Sequence, residues 1–353
     1  MTIKASGTSL SFTEIATEFG YSTNNKLGNY RVNYDNTPDG GSFSNLPLDV
    51  GVPQSGEIKF SDFYSKQLNI VVDGYDGSAE SWASKSATGV YDDHDVDVIG
   101  GFRGRPGRNV TDWQGGKTVK INVNKTIGSS MPGSNEDYKC ALKTGEWPAD
   151  TTLSVDVGSE GIITGQGGEG GNGGANKGSG ASGENGSSGL GIQHSPIDIN
   201  IASGGIIQNG YGGGGGGGGA VRDPNKEGDD DYCGGGGGGG GAGYPGGEGG
   251  TGGITEFSGG PGNDGTSTVG GSGGGGGNGG GSGGSGGGHS STPTSGGGGN
   301  AKGRGGGAGG GGGAGSNGDA IRATMAQSGN VNISNSGSIK GDAVYSVPSS
   351  QIT

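Results

Sequence analysis

The sequence predicts a mainly β chain whose C-terminal half is a bundle of extended glycine helices with short β rungs at its base. Three observations predict it. Short apolar runs, many of them alternating, recur between Gly, Asn and Asp from Leu68 to Val157, the pattern of strands bounded by turns. Glycine supplies 98 of the 353 residues, most of them between Gly158 and Gly318. Within that stretch two runs of eight glycines, 212–219 and 234–241, flank a polar insert at 220–233.

Residues 1–67 read as a small docking module. "SLSFTEIATEFG" (9–20) and "EIKFSDFYSK" (57–66) echo each other, each with a Phe, a hydroxyl residue and an acid in sequence. Ser11 or Thr13, and Ser61, are the expected N-caps of two short helices or turns. A unit this small has little core of its own and is expected to fold against a partner or a neighbouring copy, which fits a homo-oligomer.

Residues 68–157 contain "LNIVVDG", "DVDVIGGF", "KTVKINVN" and "TLSVDVG", read as strands of a β-sandwich-like middle domain. Trp82, Trp113 and Trp147 all precede the glycine-rich half, so the apolar driving force is concentrated here.

Residues 158–341 open, continue and close on three related segments, "VDVGSEGIITG" (155–165), "INIASGGIIQNG" (199–210) and "VNISNSGSIKG" (331–341). Each reads as a strand, a tight turn and a second strand, like one rung of a β-solenoid or one hairpin. Gly-rich tracts ordinarily behave as flexible linkers; here the matched octaglycines and the β segments at their roots favour ordered rods over coil, although Arg304, Asn278 and Ser282 break the period. A polyproline-II-like helix has three residues per turn and no internal hydrogen bonds, so its N–H and C=O groups point outward. Packed side by side, such rods satisfy one another, provided no Cβ holds the backbones apart. Residues with side chains are then tolerated only where every third position meets solvent. Glu169, Asn172 and Ala175 keep that phase, as do Lys302, Ala308 and Ala314. An octaglycine of roughly 25 Å, at ~3.1 Å per residue, suits a fully interior rod. Ordering each residue costs about 1–2 kcal/mol against a net ~0.5–1.5 kcal/mol per hydrogen bond, so only an array bonded on all sides stands. A C-terminal tail, 342–353, follows.

Rods need connections at their ends. The interruptions 220–233, 242–269 and 289–295, with a weaker one at 175–198, carry the aromatic and charged residues of this half. A rigid scaffold bearing such loops is a design for recognition. The candidate contact residues are Arg222, Asp223, Asn225, Lys226, Asp230, Tyr232, Tyr244, Glu256, Phe257 and His289.

Other chemistries are not expected. A net charge of −13 argues against nucleic acid, which needs clustered Lys and Arg. No run approaches 18 apolar residues, so no membrane-spanning helix is expected, and "MTIKASGTSL" lacks the apolar stretch of an export signal. Cys140 and Cys233 are far apart, with neither CxxC nor zinc-ligand spacing; free thiols are expected. "YDDHDVD" (91–97) does not space its carboxylates as a calcium loop does and reads as a solvated turn. The three histidines, His94, His194 and His289, sit in no catalytic grouping. No enzyme, metal or cofactor is expected.

The two N-terminal segments resemble a module that recurs on tailed-bacteriophage structural and fibre proteins, where segments like "IxxSDFYG" occur; here Ser65 and Lys66 follow "SDFY". The glycine-rich half resembles the polyglycine-II sandwich domain of long-tail-fibre tip adhesins. The resemblance covers residues 1–67 and about 158–341. It implies a virion tail protein, made in the host cytoplasm, that docks to other tail proteins through residues 1–67. Loops at the far end of its rods would bind a bacterial surface protein or glycan without catalysis. A structural tail component without a receptor is the competing reading. An ice-binding protein would need a more regular flat face, and a depolymerase would need a positioned acid pair.

Overall fold

The computed structural model describes residues 3–19, 27, 56–66, 68–72, 91–92, 95–97, 118–124, 126–129, 140–144, 151–222, 231–278, 280–288, 294–299, 309–324, 331–341 and 345–347. It is mostly β, with one short α-helix among the described residues.

The chain starts with α1 (Phe12–Phe19). Ser11 is its cap: the Glu14 amide donates to Ser11 Oγ at 3.3 Å and the Ser11 amide donates to Glu14 Oε2 at 2.8 Å, the reciprocal pair that satisfies otherwise orphaned donors. The second echo segment forms a 3-10 turn, Phe60–Phe63. Its cap is Lys59, not Ser61: the Lys59 amide donates to Asp62 Oδ2 at 2.7 Å, and Ser61 lies inside the turn. The two echoes meet edge to face through Phe12 and Phe60, ring centroids 4.7 Å apart, while Ile15 and Phe63 are fully buried.

The strands wind in successive coils. The first carries β1 (Leu68–Val72), β2 (Tyr91–Asp92) and β3 (Asp95–Asp97), the second β4 (Thr118–Val123), β5 (Thr126–Ile127) and β6 (Cys140–Lys143). The third carries β7 (Thr152–Val157), β8 (Ile162–Thr164) and β9 (Ser188–Ile192). The fourth begins with β10 (Ile197–Ile201) and β11 (Ile206–Gln208), departs through the hairpin of β12 (Ala220–Arg222) and β13 (Asp231–Cys233), and closes with β14 (Ile321–Thr324). The last is β15 (Val331–Asn335), β16 (Ser338–Lys340) and β17 (Tyr345–Val347).

Stacking the coils makes three sheets, in orders β1-β4-β7-β10-β15, β5-β8-β11-β16 and β2-β3-β6-β9-β14-β17. All pairings are parallel except β2 with β3. The expected self-contained sandwich of 68–157 is therefore not what forms. Its strands share sheets with strands beyond residue 188, because their inward residues need the next coil to cover them. Val155 aligns with Ile121 and Ile199, and Ile199 with Ile333. Ile121, Val155 and Ile199 are completely buried, together with Ile127, Ile163 and Ile207 of the second sheet and Leu142, Leu190 and Ile321 of the third. Full burial of each such side chain contributes about 1.5–3 kcal/mol.

The three related segments are corners of consecutive coils, rungs and not hairpins. Glycine recurs at the corner because the neighbouring coil leaves no room. A Cβ on Gly161 would lie 2.2 Å from the Val123 carbonyl oxygen, and one on Gly337 2.3 Å from that of Gly205.

Between the second and third sheets the chain twice leaves the solenoid, at 165–187 and at 210–318. These excursions run as ten extended segments in three layers. One holds 178–187, 165–174 and 246–253. The middle holds 309–318, 210–219, 234–243 and 259–265. The third holds 294–299, 280–288 and 270–277. The two octaglycines are the two segments with six neighbours each. Segment 210–219 donates to 178–187, 234–243 and 294–299 and accepts from 165–174, 280–288 and 309–318, with N···O distances of 2.7–3.1 Å. Partners rotate with period three: Gly213, Gly214 and Gly215 donate to Glu184, Gly239 and Thr294, and Gly216, Gly217 and Gly218 to Ala181, Gly236 and Gly297. Segment 234–243 behaves likewise toward 165–174, 259–265 and 280–288 as acceptors and 210–219, 246–253 and 270–277 as donors.

Side chains are excluded from these two segments by the neighbours' backbones. A Cβ built on any glycine of 212–219 or 234–241 would lie 1.8–2.4 Å from a carbonyl oxygen. Much of the expected interruption 242–269 is part of the bundle, since 246–253 and 259–265 carry Glu248, Thr251 and Asp264 on outward third positions. Pro261 fits there too: the amides of 259, 262 and 265 serve 246–253 and those of 260 and 263 serve 270–277, so no bond is lost where proline lacks its N–H. Lys302 and Ala308 lie outside the described residues.

Candidate recognition surface

The bundle has two ends. At the root, its segments leave from the strands: Gly165, Gly210 and Gly318 adjoin β8, β11 and β14. The other end is the tip, where Gly219 donates to Gly178, Gly309 to Gly219, Gly253 to Gly235 and Gly277 to Gly234. The described tip connections are the turn at 175–177, the start and finish of the β12–β13 hairpin, residues 254–258 and the turn at Gly277 and Asn278.

The hairpin extends the two octaglycines, pairing Ala220 with Cys233, Val221 with Tyr232 and Arg222 with Asp231. It is tied to its neighbour by backbone. Phe257 donates to the Tyr232 carbonyl at 3.1 Å, and Gly234 donates to the Phe257 carbonyl at 2.8 Å. Cys233 Sγ donates to the Asn278 carbonyl at 2.7 Å. The 254–258 turn is closed by Ser258 Oγ, which accepts from the Thr255 amide at 3.1 Å and donates to the Thr255 carbonyl at 2.8 Å.

Over this fixed backbone the side chains face outward. Ile254 is 86% exposed, Tyr232 39% and Phe257 36%, and Glu256 in the same turn and Lys177 in the 175–177 turn are exposed too. Three large apolar side chains thus stand in water on this hydrogen-bonded support. Tyr232, Glu256 and Phe257 are the expected contact residues that the fold brings together. Ile254 was not among them. Its signal was present, because in "GGEGGTGGITEF" it continues the phase of Glu248 and Thr251 and shares that phase with Phe257.

Tyr244 is elsewhere. Its amide donates to the Gly165 carbonyl at 3.0 Å, and its own carbonyl accepts from Ser129 at 3.1 Å. It sits at the root, against the solenoid, because 234–243 runs from tip to root and Tyr244 begins the return. Arg222 is placed at the tip by its backbone pairing. Asp223, Asn225, Lys226, Asp230 and His289 lie outside the described residues. Cys140 and Cys233 are both buried, and neither is in a disulfide. His194 is a corner residue whose Nε2–H donates to the Thr151 carbonyl at 2.8 Å.

Among the described residues no group of His, Cys, Asp and Glu is arranged to hold a metal ion, and no helix is long and apolar enough to cross a membrane. No family model matches the sequence, and no curated protein does. Among solved structures, the chain is similar to the gp37–gp38 adhesin tip complex of the bacteriophage S16 long tail fibre, with 22% identity over 83% of this chain and 89% of that one and a TM-score of 0.35.

Proposed function

We propose that this chain is a non-enzymatic adhesin of a bacteriophage tail fibre or tail tip. The glycine bundle is a polyglycine-II sandwich, and its tip loops bind a protein or glycan on the bacterial surface. Residues 1–67 dock it to other tail proteins, which places it on the virion tail. The observation that carries the reading is the tip itself: Tyr232, Ile254 and Phe257 stand exposed where the two six-neighbour segments end. A stiff support means that little loop entropy is lost on binding, and many copies on a tail would add avidity to a modest single contact. The period-three rotation of hydrogen-bond partners supports the helix type, and the sequence resemblance supports the setting.

The test is adsorption. Full-length protein added to susceptible cells should compete with phage for attachment. The double variant Ile254→Ser/Phe257→Ser should lose at least about tenfold in competing strength, as expected when hot-spot side chains worth more than 1 kcal/mol each are truncated. Amide exchange across 212–219 should stay as slow as in the parent, showing the support intact. A parent protein that never competes, while still assembling on the tail, would make this a structural component instead.

A further inference from the structure

The sequence holds five Asn–Gly pairs, at 172–173, 185–186, 209–210, 278–279 and 317–318. All but 278–279 lie wholly within the described residues. The pairs at 185–186, 209–210 and 317–318 sit at the root of the bundle, and 172–173 lies nearer the tip. Asn–Gly is the dipeptide most open to spontaneous deamidation, because glycine has no side chain to shield its nitrogen from the asparagine before it.

In the bundle these pairs act as clasps. Asn172 Oδ1 accepts from the Thr251 amide at 2.8 Å, while Gly173 donates to the Thr251 carbonyl at 2.8 Å. Asn185 Oδ1 accepts from the Ser316 amide at 2.7 Å, while Gly186 donates to the Ser316 carbonyl at 2.9 Å. Each pair grips both backbone groups of one residue on the neighbouring segment. Thr251 and Ser316 are exposed, so the asparagine supplies an acceptor to an amide that would otherwise depend on water. Asn317 and Gly318 hold 210–219 similarly, through the Gly212 amide at 3.1 Å and the Gly210 carbonyl at 2.9 Å. Glycine is required in all three clasps, since a Cβ on 173, 186 or 318 would lie 2.0–2.2 Å from a carbonyl oxygen. Asn209 is enclosed at 1% exposure. Its Nδ2 donates to the Gly210 carbonyl at 2.9 Å, and the Gly210 amide donates to the Ser187 carbonyl at 2.8 Å.

Deamidation and the lattice compete for the same atoms. In the reaction the glycine amide gives its proton to hydroxide, its nitrogen bonds to Asn Cγ, the Cγ–Nδ2 bond breaks and ammonia leaves. Water then opens the cyclic imide to aspartate or isoaspartate, each with one more negative charge. In the bundle that amide proton is already held by a neighbouring carbonyl at Gly173, Gly186, Gly210 and Gly318. In three of the pairs the asparagine carbonyl is also tied to another segment. We propose that Asn172, Asn185, Asn209 and Asn317 are latent deamidation sites, inert while the lattice is closed and reactive in molecules that open it. Isoaspartate carries the main chain through one additional carbon, which breaks the three-residue repeat, so reaction at an opened site makes the opening irreversible. Aspartate does not have that effect: Asp264 and Gly265 already form the same clasp, through the Gly249 amide at 2.8 Å and the Gly247 carbonyl at 2.8 Å. The proposal does not rest on the adhesin reading.

The experiment incubates full-length protein at mildly alkaline pH, with and without sub-denaturing urea, and follows each asparagine by mass spectrometry of peptides. The same chain held unfolded in guanidinium is the reference, and there all four sites should convert. In the folded protein each should be slowed at least about a hundredfold, as expected of a reaction that waits for a costly local opening. Amide exchange of the following glycine needs the same proton freed. The slowing at each asparagine should therefore match its glycine's exchange protection and fall with it as urea rises. Molecules deamidated at these sites to isoaspartate, isolated by their added charge, should exchange 212–219 faster than unmodified molecules of the same sample. Asn172→Asp and Asn185→Asp proteins should not. The proposal is overturned if the unfolded chain leaves the four sites unconverted, or if any of them reacts in folded protein faster than its glycine's protection allows. It is equally overturned if urea speeds exchange without speeding deamidation, or if isoaspartate-bearing molecules exchange as slowly as unmodified ones.

Discussion

The solenoid and the glycine bundle solve one problem with opposite materials. The solenoid has a core of side chains: Ile121, Leu153, Val155, Ile199 and their neighbours are buried between three sheets, and removing water from them drives assembly. The bundle has a core of backbone. In 212–219 and 234–241 there is nothing apolar to bury. Cohesion comes from amide-to-carbonyl bonds in all six lateral directions and from contacts so close that a single carbon would break them. The first kind of core fails when atoms are taken out, and the second when they are put in.

That contrast predicts the largest effects. Ile199→Ala should cost about 2–5 kcal/mol, the usual range for a cavity in a packed core. Gly237→Val should cost more than the ~1–3 kcal/mol typical of overpacking. The obstacle to its Cβ is the Gly250 carbonyl oxygen at 1.9 Å, which belongs to the lattice and not to a flexible side chain. Calorimetry should show a lowered transition for both. Hydrogen exchange should separate them: Gly237→Val speeds amides 212–219 and 234–241, whereas Ile199→Ala acts first on the strands.

The two cores meet where 309–318 re-enters β14, and there a buried ion pair sits. Arg322 Nε donates to Asp319 Oδ2 at 2.8 Å, with Nη2 at 2.6 Å from the same oxygen. Both residues are buried. Arg322→Met would strand the Asp319 charge, and breaking a buried pair in this way costs about 3–5 kcal/mol. The double variant Arg322→Met/Asp319→Leu should recover much of that loss in denaturant unfolding. If the single variant is as stable as the parent, the pair does not clamp the junction.

A smaller effect separates the regions by pH. On the first sheet's outer face, burial works against the Asp156 charge. The Asn200 Nδ2 hydrogen bond at 2.7 Å, the Lys120 ammonium at 2.8 Å and the Ser154 hydroxyl at 2.6 Å outweigh it and hold the carboxyl below its ordinary value of 3.8. Such a group stabilises the folded state above its ordinary pKa, and the contribution is lost as pH falls through the depressed one. The pair is partly exposed and screened by solvent, so the contribution is about 0.2–1 kcal/mol. Asp156→Asn should therefore be slightly less stable than the parent at pH 7 and converge with it below the carboxylate range. The octaglycines contain no titratable group, and their exchange rates, corrected for intrinsic pH dependence, should not follow that curve.

How much of this was legible depends on where the controlling contact lies. The interior rods were legible because eight residues without a Cβ on any face suit a segment packed on every side, although the same runs also suit a flexible linker. The Ser11 cap is local and readable, since its partner Glu14 is three residues away. The closure of the solenoid is not local. Ile199 stacks on Ile333 across the entire second excursion, so its strands look like a sandwich until their neighbours are known. Glu248, Thr251 and Asp264 made 242–269 resemble a loop, although within each segment a period of three, Glu248 to Thr251 and Pro261 to Asp264, places them on the outside of rods. Tyr244 was misplaced for a related reason: composition marks it as an interruption, but only the direction of 234–243 says at which end.

The smallest prediction concerns a glycine the lattice does not require. Gly275 lies in an outer layer, and a Cβ built on it meets nothing within 4 Å. Its φ is outside the left-handed region, so alanine is compatible with its backbone. Gly275→Ala removes freedom from the unfolded chain at no native cost and should stabilise by about 0.4–1 kcal/mol, read as a small rise in the denaturant midpoint with unchanged slope. Set beside Gly237→Val, it isolates the cause. If both substitutions destabilise, glycine is wanted for backbone freedom throughout. If only the interior one does, glycine is wanted because six backbones converge there and leave no space for a side chain.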